Sequence, residues 1–129
     1  MKTYGVRLLP DEDLKKRIVQ ICAENQITSA CVLSAVGSLK KLNLRLANSS
    51  VCLEKSENFE VLSLNGTVSV DGIHLHIAVS DSKGQVFGGH LLDDNIIYTT
   101  CELVLMELSD TQFTRVTDSA TGFKEIVFT

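Results

Sequence analysis

Residues 73–90 read Ile-His-Leu-His-Ile-Ala-Val-Ser-Asp-Ser-Lys-Gly-Gln-Val-Phe-Gly-Gly-His. Large apolar residues occupy every second position over 73–80, which is the period of a strand with one buried face. Residues 81–84 supply turn residues, and an extended pattern resumes from Gln85 to Leu92. This stretch predicts a β-hairpin, and the register of the hairpin decides which side chains share a face.

Two loop lengths compete for this hairpin. A two-residue loop at Ser82-Lys83 needs positive φ at residues that do not favour it. A three-residue loop, in which a type I turn closes with Gly84 in the left-handed region, suits the sequence better. In that register the facing pairs are Val79 with Phe87, Leu75 with Leu91, Ala78 with Gly88, and His76 with His90.

All three histidines of the chain lie in this hairpin, at His74, His76 and His90. Residues at i and i+2 of a strand share a face, and the favoured register places His90 directly opposite His76. Imidazole is the commonest neutral protein ligand for zinc and similar ions, and three protein ligands leave a position for water or substrate. We expect the three histidines to bind a divalent metal. The alternative is three polar side chains on the solvated side of the sheet.

Composition sets further bounds. A chain of 129 residues predicts a single domain over 1–129, and its net charge of −4 argues against non-specific nucleic-acid binding. The basic clusters, at 15–17 and at Lys40-Lys41 with Arg45, are interpreted as solvated faces of a helix and a strand. No apolar run is long enough to span a membrane, and the N-terminal residues lack the core of a signal peptide. We therefore expect a cytoplasmic protein whose four cysteines are reduced, buried thiols.

The rest of the pattern predicts one helix and several strands. Residues 10–13 resemble a helix start, with acids at the positive end of the helix dipole, and an end is expected near Asn25. The apolar residues at helical spacing are Leu14, Ile18, Ile21 and Cys22. Further strands are predicted at 3–9, 27–36, 39–47, 58–70, 96–108, 113–117 and 124–128. The fold class is therefore α+β, a largely antiparallel sheet with one main helix packed on it.

Three segments need separate treatment, because the sequence allows more than one structure or predicts a bend there. Gly37-Ser38 is expected to bend the chain between the strands at 27–36 and 39–47. Asn65-Gly66 is compatible with a tight turn or with a continuous strand that contains a bulge. Residues 96–108 include good helix formers, but their β-branched residues favour a strand.

Glu60 and Glu102 are carboxylates inside apolar strand segments. A buried carboxylate has to be paired, protonated or bound to a cation. One interpretation makes either residue a catalytic general acid/base, or a group that supports the metal ligands through a hydrogen bond. The other interpretation has both side chains pointing to solvent or contacting a backbone group or an arginine.

Segments along nearly the whole chain resemble the PPC (plants and prokaryotes conserved) domain. Residues 59–66 read Phe-Glu-Val-Leu-Ser-Leu-Asn-Gly, and residues 84–90 read Gly-Gln-Val-Phe-Gly-Gly-His. Supporting pieces are Ala-Val-Gly-Ser at 35–38, Thr-Cys-Glu at 100–102 and Thr-Gly-Phe-Lys-Glu at 121–125. These pieces occur in the order expected for the family.

The resemblance implies a compact α+β subunit that assembles as a homotrimer. Plant members carry AT-hooks and mediate assembly of nuclear DNA-binding proteins. Several stand-alone prokaryotic members carry a pattern that matches His74, His76 and His90 here, and they are associated with a bound metal, zinc. This chain has no Arg-Gly-Arg-Pro AT-hook, and residues 57–62 lack the arginine of the plant motif Gly-Arg-Phe-Glu-Ile-Leu. These departures argue against the roles of the plant members, and the histidines favour the stand-alone bacterial or archaeal type.

Two functional hypotheses follow. The first is a trimeric PPC-domain protein that holds a divalent metal, zinc, and offers an open position to a small anionic or carbonyl-bearing ligand. In that hypothesis Glu60 and Glu102 are the acid/base candidates. The second is a DNA-binding or transcription-associated regulatory module without turnover. The acidic charge and the missing AT-hook favour the first hypothesis, and neither hypothesis identifies a substrate.

Overall fold

The computed structural model describes residues 1–48 and 50–129. Its described part contains one helix, α1 (Leu14–Glu24), and nine strands. The strands are β1 (Lys2–Leu8), β2 (Ser29–Arg45), β3 (Cys52–Lys55), β4 (Phe59–Ser69), β5 (Gly72–Ser80), β6 (Val86–Leu91), β7 (Ile96–Glu107), β8 (Phe113–Thr117) and β9 (Lys124–Phe128). The predicted α+β class, dominated by an antiparallel sheet, is confirmed.

The sheet is built around β2, which has 17 residues. The strand order is β1-β7-β2-β4-β5-β6, with β3 paired to the end of β2 and all pairings antiparallel. The last residues of β2 also pair with β6, and Arg45 faces His90 there. Strands β2, β4, β5 and β6 therefore close into a ring, which brings the end of β2 next to the histidine hairpin.

Helix α1 closes the core on one side of the sheet. The side chain of Asp13 caps its N-terminus by accepting a hydrogen bond from the Lys16 N–H at 3.1 Å. The helix ends at Asn25, and Gln26 leaves it in the left-handed region with φ 57°. The predicted packing face is confirmed, because the buried helix residues are Leu14, Ile18, Ile21 and Cys22.

The strands predicted at 27–36 and 39–47 form one continuous strand, because β2 runs through Gly37 and Ser38 with a register shift between Gly37 and Leu39. Gly37 also serves packing. A Cβ at this position would lie 2.2 Å from the carbonyl oxygen of Thr100 in β7. Glycine inside a strand often marks such a close backbone approach. The pairing of β2 with β7 contains three register shifts, so the long strand continues through local irregularities.

The remaining alternatives are resolved in favour of strands. β4 continues through Asn65-Gly66, so no tight turn forms there. Its register shift lies earlier, between Val61 and Ser63. Residues 96–107 form β7, as the β-branched residues predicted. Strand β3 was not predicted, since its four residues are too few to show a period.

The register of the central hairpin is confirmed. Gly84 has φ 78°, its N–H donates to the carbonyl of Asp81 at 3.0 Å, and the Asp81 N–H donates to the carbonyl of Gln85 at 2.9 Å. The Asp81 carboxylate also accepts from the N–H groups of Lys83 and Gln85. Paired residues in the hairpin include Val79 with Phe87, Ala78 with Gly88, and His76 with His90.

Strands β8 and β9 form a second sheet of two strands, at the predicted positions. The N–H of Phe113 donates to the buried Ser29 hydroxyl at 2.9 Å, and the N–H of Arg115 donates to the Asp71 carboxylate at 2.8 Å. The rings of Phe113 and Phe128 pack edge to face, with centroids 4.9 Å apart. These contacts fix the C-terminal hairpin against β2 and against the β4–β5 turn.

The cysteines differ in exposure. Cys22 and Cys101 are buried, and burial raises the pKa of each thiol to about 11. Cys31 is half-buried. Cys52 is exposed, so the prediction that this thiol is buried is wrong. It is the first residue of β3, a strand of four residues at the edge of the sheet, where this side chain stays exposed.

We expect iodoacetamide to modify Cys52 first in the folded protein, because the thiolate is the nucleophile and Cys52 is the exposed cysteine. Cys22 and Cys101 should react only after unfolding in urea. Mass spectrometry of peptides from timed samples measures this order, and a Cys52→Ser variant is the control that should remove the early product. Equal early labelling of Cys101 would contradict the expected order.

In the described part of the chain, no helix has both the length and the apolar character needed to cross a membrane. Helix α1 has 11 residues.

Candidate metal centre

The imidazoles of His74, His76 and His90 converge at one place on the hairpin. One ligand nitrogen from each residue lies within 4.8 Å of those of the other two. The Nε2 atoms of His74 and His76 are 3.2 Å apart. The ring centroid of His90 is 5.1 Å from that of His74 and 5.7 Å from that of His76. The convergence predicted from the hairpin register is confirmed.

The local environment keeps two of these imidazoles neutral. The pKa of His90 is lowered to about 4, first because partial burial disfavours the charged form and then because the Arg45 guanidinium is near. The pKa of His74 is lowered by burial and then by the neighbouring positive charges, with Arg115 and Arg45 among them. A neutral imidazole has the free lone pair that a metal ion requires. The group is therefore prepared for a cation at neutral pH.

The three histidines fit a small divalent metal. Tetrahedral zinc, with nitrogens at about 2.0–2.1 Å, places its ligand nitrogens about 3.4 Å apart. The 3.2 Å between the Nε2 atoms of His74 and His76 is close to that value. In addition, Nδ1 of His90 is buried and has no hydrogen-bond partner among the described residues. A buried polar atom without a partner is unfavourable, and a bound cation or water is one way to satisfy it.

Glycines hold the backbone close around the histidines. Gly66 in β4 has φ 137°, and a Cβ there would lie 2.0 Å from the carbonyl oxygen of His74. A Cβ on Gly89 would lie 2.7 Å from the carbonyl oxygen of Arg45. Gly66 thus sets the spacing of β4 and β5 at His74, and Gly89 lets β6 approach β2 beside His90.

The structure does not bring Glu60 or Glu102 to the histidines. Both side chains are exposed and line a separate groove of about 350 Å³. Glu60 lies roughly 16 Å along β4 from Asn65, the residue that faces His76. No carboxylate joins the three-histidine group within 1–48 and 50–129. A catalytic role for either glutamate stays a prediction.

Two arginines near the histidines were not predicted as site residues. Arg45 faces His90 across the β2–β6 pairing, and Arg115 extends from β8. Both line a groove of about 370 Å³ together with His74 and His90. The sequence pattern places Arg45 on a strand, but it carries no signal for the β2–β6 pairing because no turn connects those segments. Arg115 likewise reaches the site only through tertiary packing.

Comparison with known proteins supports this architecture. A model of the Plants and Prokaryotes Conserved (PCC, or PPC) domain matches residues 1–109. The chain belongs to this family. The resemblance seen in the sequence is confirmed, and the β8–β9 hairpin lies beyond the residues that the PPC model matches.

Curated relatives of this PPC chain are longer proteins. Two bifunctional proteins GlmU from Synechococcus strains are each 42% identical to it over 126 residues. The match covers 98% of this chain and 20% of each relative, so the chain spans about a fifth of their length.

Solved structures share the fold over almost the whole chain. A hypothetical protein from Salmonella cholerae-suis is 35% identical, with a TM-score of 0.96, covering 99% of this chain and 93% of its own. A metal-containing protein from Archaeoglobus fulgidus is 28% identical, with a TM-score of 0.88 and coverages of 98% and 94%. A Bacteroides thetaiotaomicron protein with a proposed DNA-binding role is 26% identical, with a TM-score of 0.88 and coverages of 98% and 91%.

Proposed function

We propose that this PPC-domain chain binds a divalent metal, zinc, through His74, His76 and His90. The observation that carries the proposal is the convergence of three ligand nitrogens within 4.8 Å in one hairpin. A set of nitrogen ligands alone suits zinc better than the oxygen-seeking calcium or magnesium ions. The likeness to a metal-containing protein of Archaeoglobus fulgidus adds support.

The proposed activity is binding of a small anionic or carbonyl-bearing ligand at the position that three histidines leave open. Zinc held there supplies a Lewis acid that polarises a bound oxygen or lowers the pKa of bound water. The chain's own residues orient and shield the site: the hairpin fixes the imidazoles, and the neighbouring arginines contribute positive charge. We propose ligand binding at this site. Catalysis there would also need a general acid or base.

Glu60 and Glu102 are candidates for the general acid or base only if association of subunits brings one of them to the histidines. Within one subunit they lie in a separate groove, so either glutamate would have to reach the histidines from a neighbouring subunit. The proposed assembly is a homotrimer of single domains spanning 1–129. Exposed apolar side chains on β2 and β4 support association, since Leu33, Val36 and Leu62 are each more than half exposed.

The DNA-binding alternative is less well supported. One structural relative has a proposed DNA-binding role, at 26% identity. The net charge of −4 gives this chain little attraction for phosphate backbones. The histidine geometry, in contrast, is specific and local.

Metal analysis tests the proposal. We expect the purified protein to retain about one zinc per chain after dialysis, because three imidazoles bind it together. His76→Ala and His90→Ala should each lower zinc affinity by at least about 100-fold, since each removes a direct ligand. Elemental analysis of dialysed samples measures the content, and light scattering of the same samples measures the mass of the assembly.

Ser80→Ala is the matched control, because Ser80 lies on the same strand and the same face as the histidines, four residues beyond His76. It should keep zinc at the level of the unsubstituted protein. Absence of zinc from the unsubstituted protein after loading, or full retention of zinc by His90→Ala, would refute the proposed site.

A further inference from the structure

A groove opens beside the proposed metal position and is lined by charged and apolar residues from four segments. Its volume is about 370 Å³, and it contains Arg45 of β2, Ile73 and His74 of β5, and His90 of β6. The C-terminal hairpin forms its other wall through Arg115, Phe123, Lys124 and Glu125. A groove of this size accepts a small organic molecule.

The positive charges of this groove are not neutralised within the chain. Arg45 and Arg115 take part in none of the ion pairs formed among residues 1–48 and 50–129. Arg115 makes one long side-chain contact, from Nη2 to the Thr67 hydroxyl at 3.4 Å. Glu125 is the one carboxylate in the lining, against three basic side chains. Two guanidiniums without a carboxylate partner are therefore available to an external anion.

The backbone at both arginines is fixed. The Arg115 N–H is held by the Asp71 carboxylate at 2.8 Å. Arg45 lies in the β2–β6 pairing, where Gly89 lets the two strands approach closely. The backbone of the two arginines is therefore held on opposite walls of the groove, which reduces the entropy lost when they hold a ligand.

We infer that this groove binds a small organic oxyanion, a carboxylate or a phosphate ester. Arg45 and Arg115 grip its charged group. Planar guanidinium groups recognise carboxylate and phosphate oxygens through paired hydrogen bonds. Ile73 provides apolar contact for the body of the ligand, as does Phe123, a residue that is 62% exposed. The inference rests on the proposed metal site, since the groove is lined by two of the histidines and an ion held there would offer a further contact to the ligand's oxygens.

Calorimetric titration tests the inference. Benzoate and phenyl phosphate, with inorganic phosphate as the probe that has no apolar body, are titrated into zinc-loaded protein at constant ionic strength. We expect Arg45→Gln and Arg115→Gln each to weaken binding of the aromatic probes at least tenfold while the zinc content stays unchanged. Inorganic phosphate should bind more weakly than phenyl phosphate, because it makes no contact with Ile73 or Phe123.

Arg7→Gln is the matched control, because it removes the same charge from an exposed position of β1 that faces Glu102 of β7. It should bind the probes within twofold of the unsubstituted protein. Zinc-loaded protein that binds no probe, or arginine variants that bind like Arg7→Gln, would overturn the inference and leave the metal site standing. A protein that never takes up zinc fails the metal proposal instead, and retention of probe binding by that protein, with loss in Arg45→Gln and Arg115→Gln, would uphold the arginine site alone.

Discussion

Substitution of Gly66 by alanine is expected to destabilise the protein by about 3–5 kcal/mol. The added Cβ would lie 2.0 Å from the carbonyl oxygen of His74. The backbone at Gly66 has φ 137°, an angle that residues other than glycine rarely adopt. Either β4 moves away from β5 or the backbone angle changes, and both disrupt the pairing that carries His74. Urea denaturation of the metal-free protein measures the loss in the free energy of unfolding.

Gly5→Ala is the control for this substitution. Gly5 lies in β1, and a Cβ there would have no atom within 4 Å. Its stability should stay within about 0.5 kcal/mol of the unsubstituted protein. A similar midpoint for both variants would show that the close approach of β4 and β5 is not a constraint.

Substitution of Asn95 by alanine should lower stability by about 3–5 kcal/mol, because it removes three hydrogen bonds to partly buried backbone groups of Asn43 and Leu92. The side chain of Asn95 is completely buried. Its oxygen accepts from the Asn43 N–H at 2.7 Å, and its Nδ2 donates to the carbonyls of Asn43 and Leu92, each at 2.8 Å. These bonds tie the segment between β6 and β7 to β2.

Thermal denaturation, followed by circular dichroism, measures this effect. Asn58→Ala is the control, because Asn58 is exposed and has no side-chain hydrogen bond among the described residues. Its melting temperature should match that of the unsubstituted protein. A small shift for Asn95→Ala would mean that water replaces the lost amide.

The histidine cluster could be predicted because everything that places it is local. Gly84 determines the loop, alternation determines the face, and the two agree on one register. Helix α1 could also be predicted, because its cap at Asp13 and the spacing of its apolar residues lie within one short segment.

The features that were missed depend on contacts between distant segments. Gly37 looked like a bend, and only the approach of Thr100 shows that it serves packing. Arg45 looked like a solvated strand residue, and only the β2–β6 pairing places it opposite His90. The sequence left Glu60 and Glu102 with two interpretations, and the structure shows both side chains exposed.

The two kinds of pairing in this sheet also differ in how quickly they can form. The β5–β6 hairpin joins neighbouring residues of the chain, so His76 and His90 meet through a short loop. Pairing of β2 with β7 joins Ala30 to Glu107, which requires closure of most of the polypeptide. Folding rates fall as contacts become less local. The β4–β5 and β5–β6 hairpins are therefore the parts of the sheet with the lowest entropic barriers, and the ring that contains them closes later.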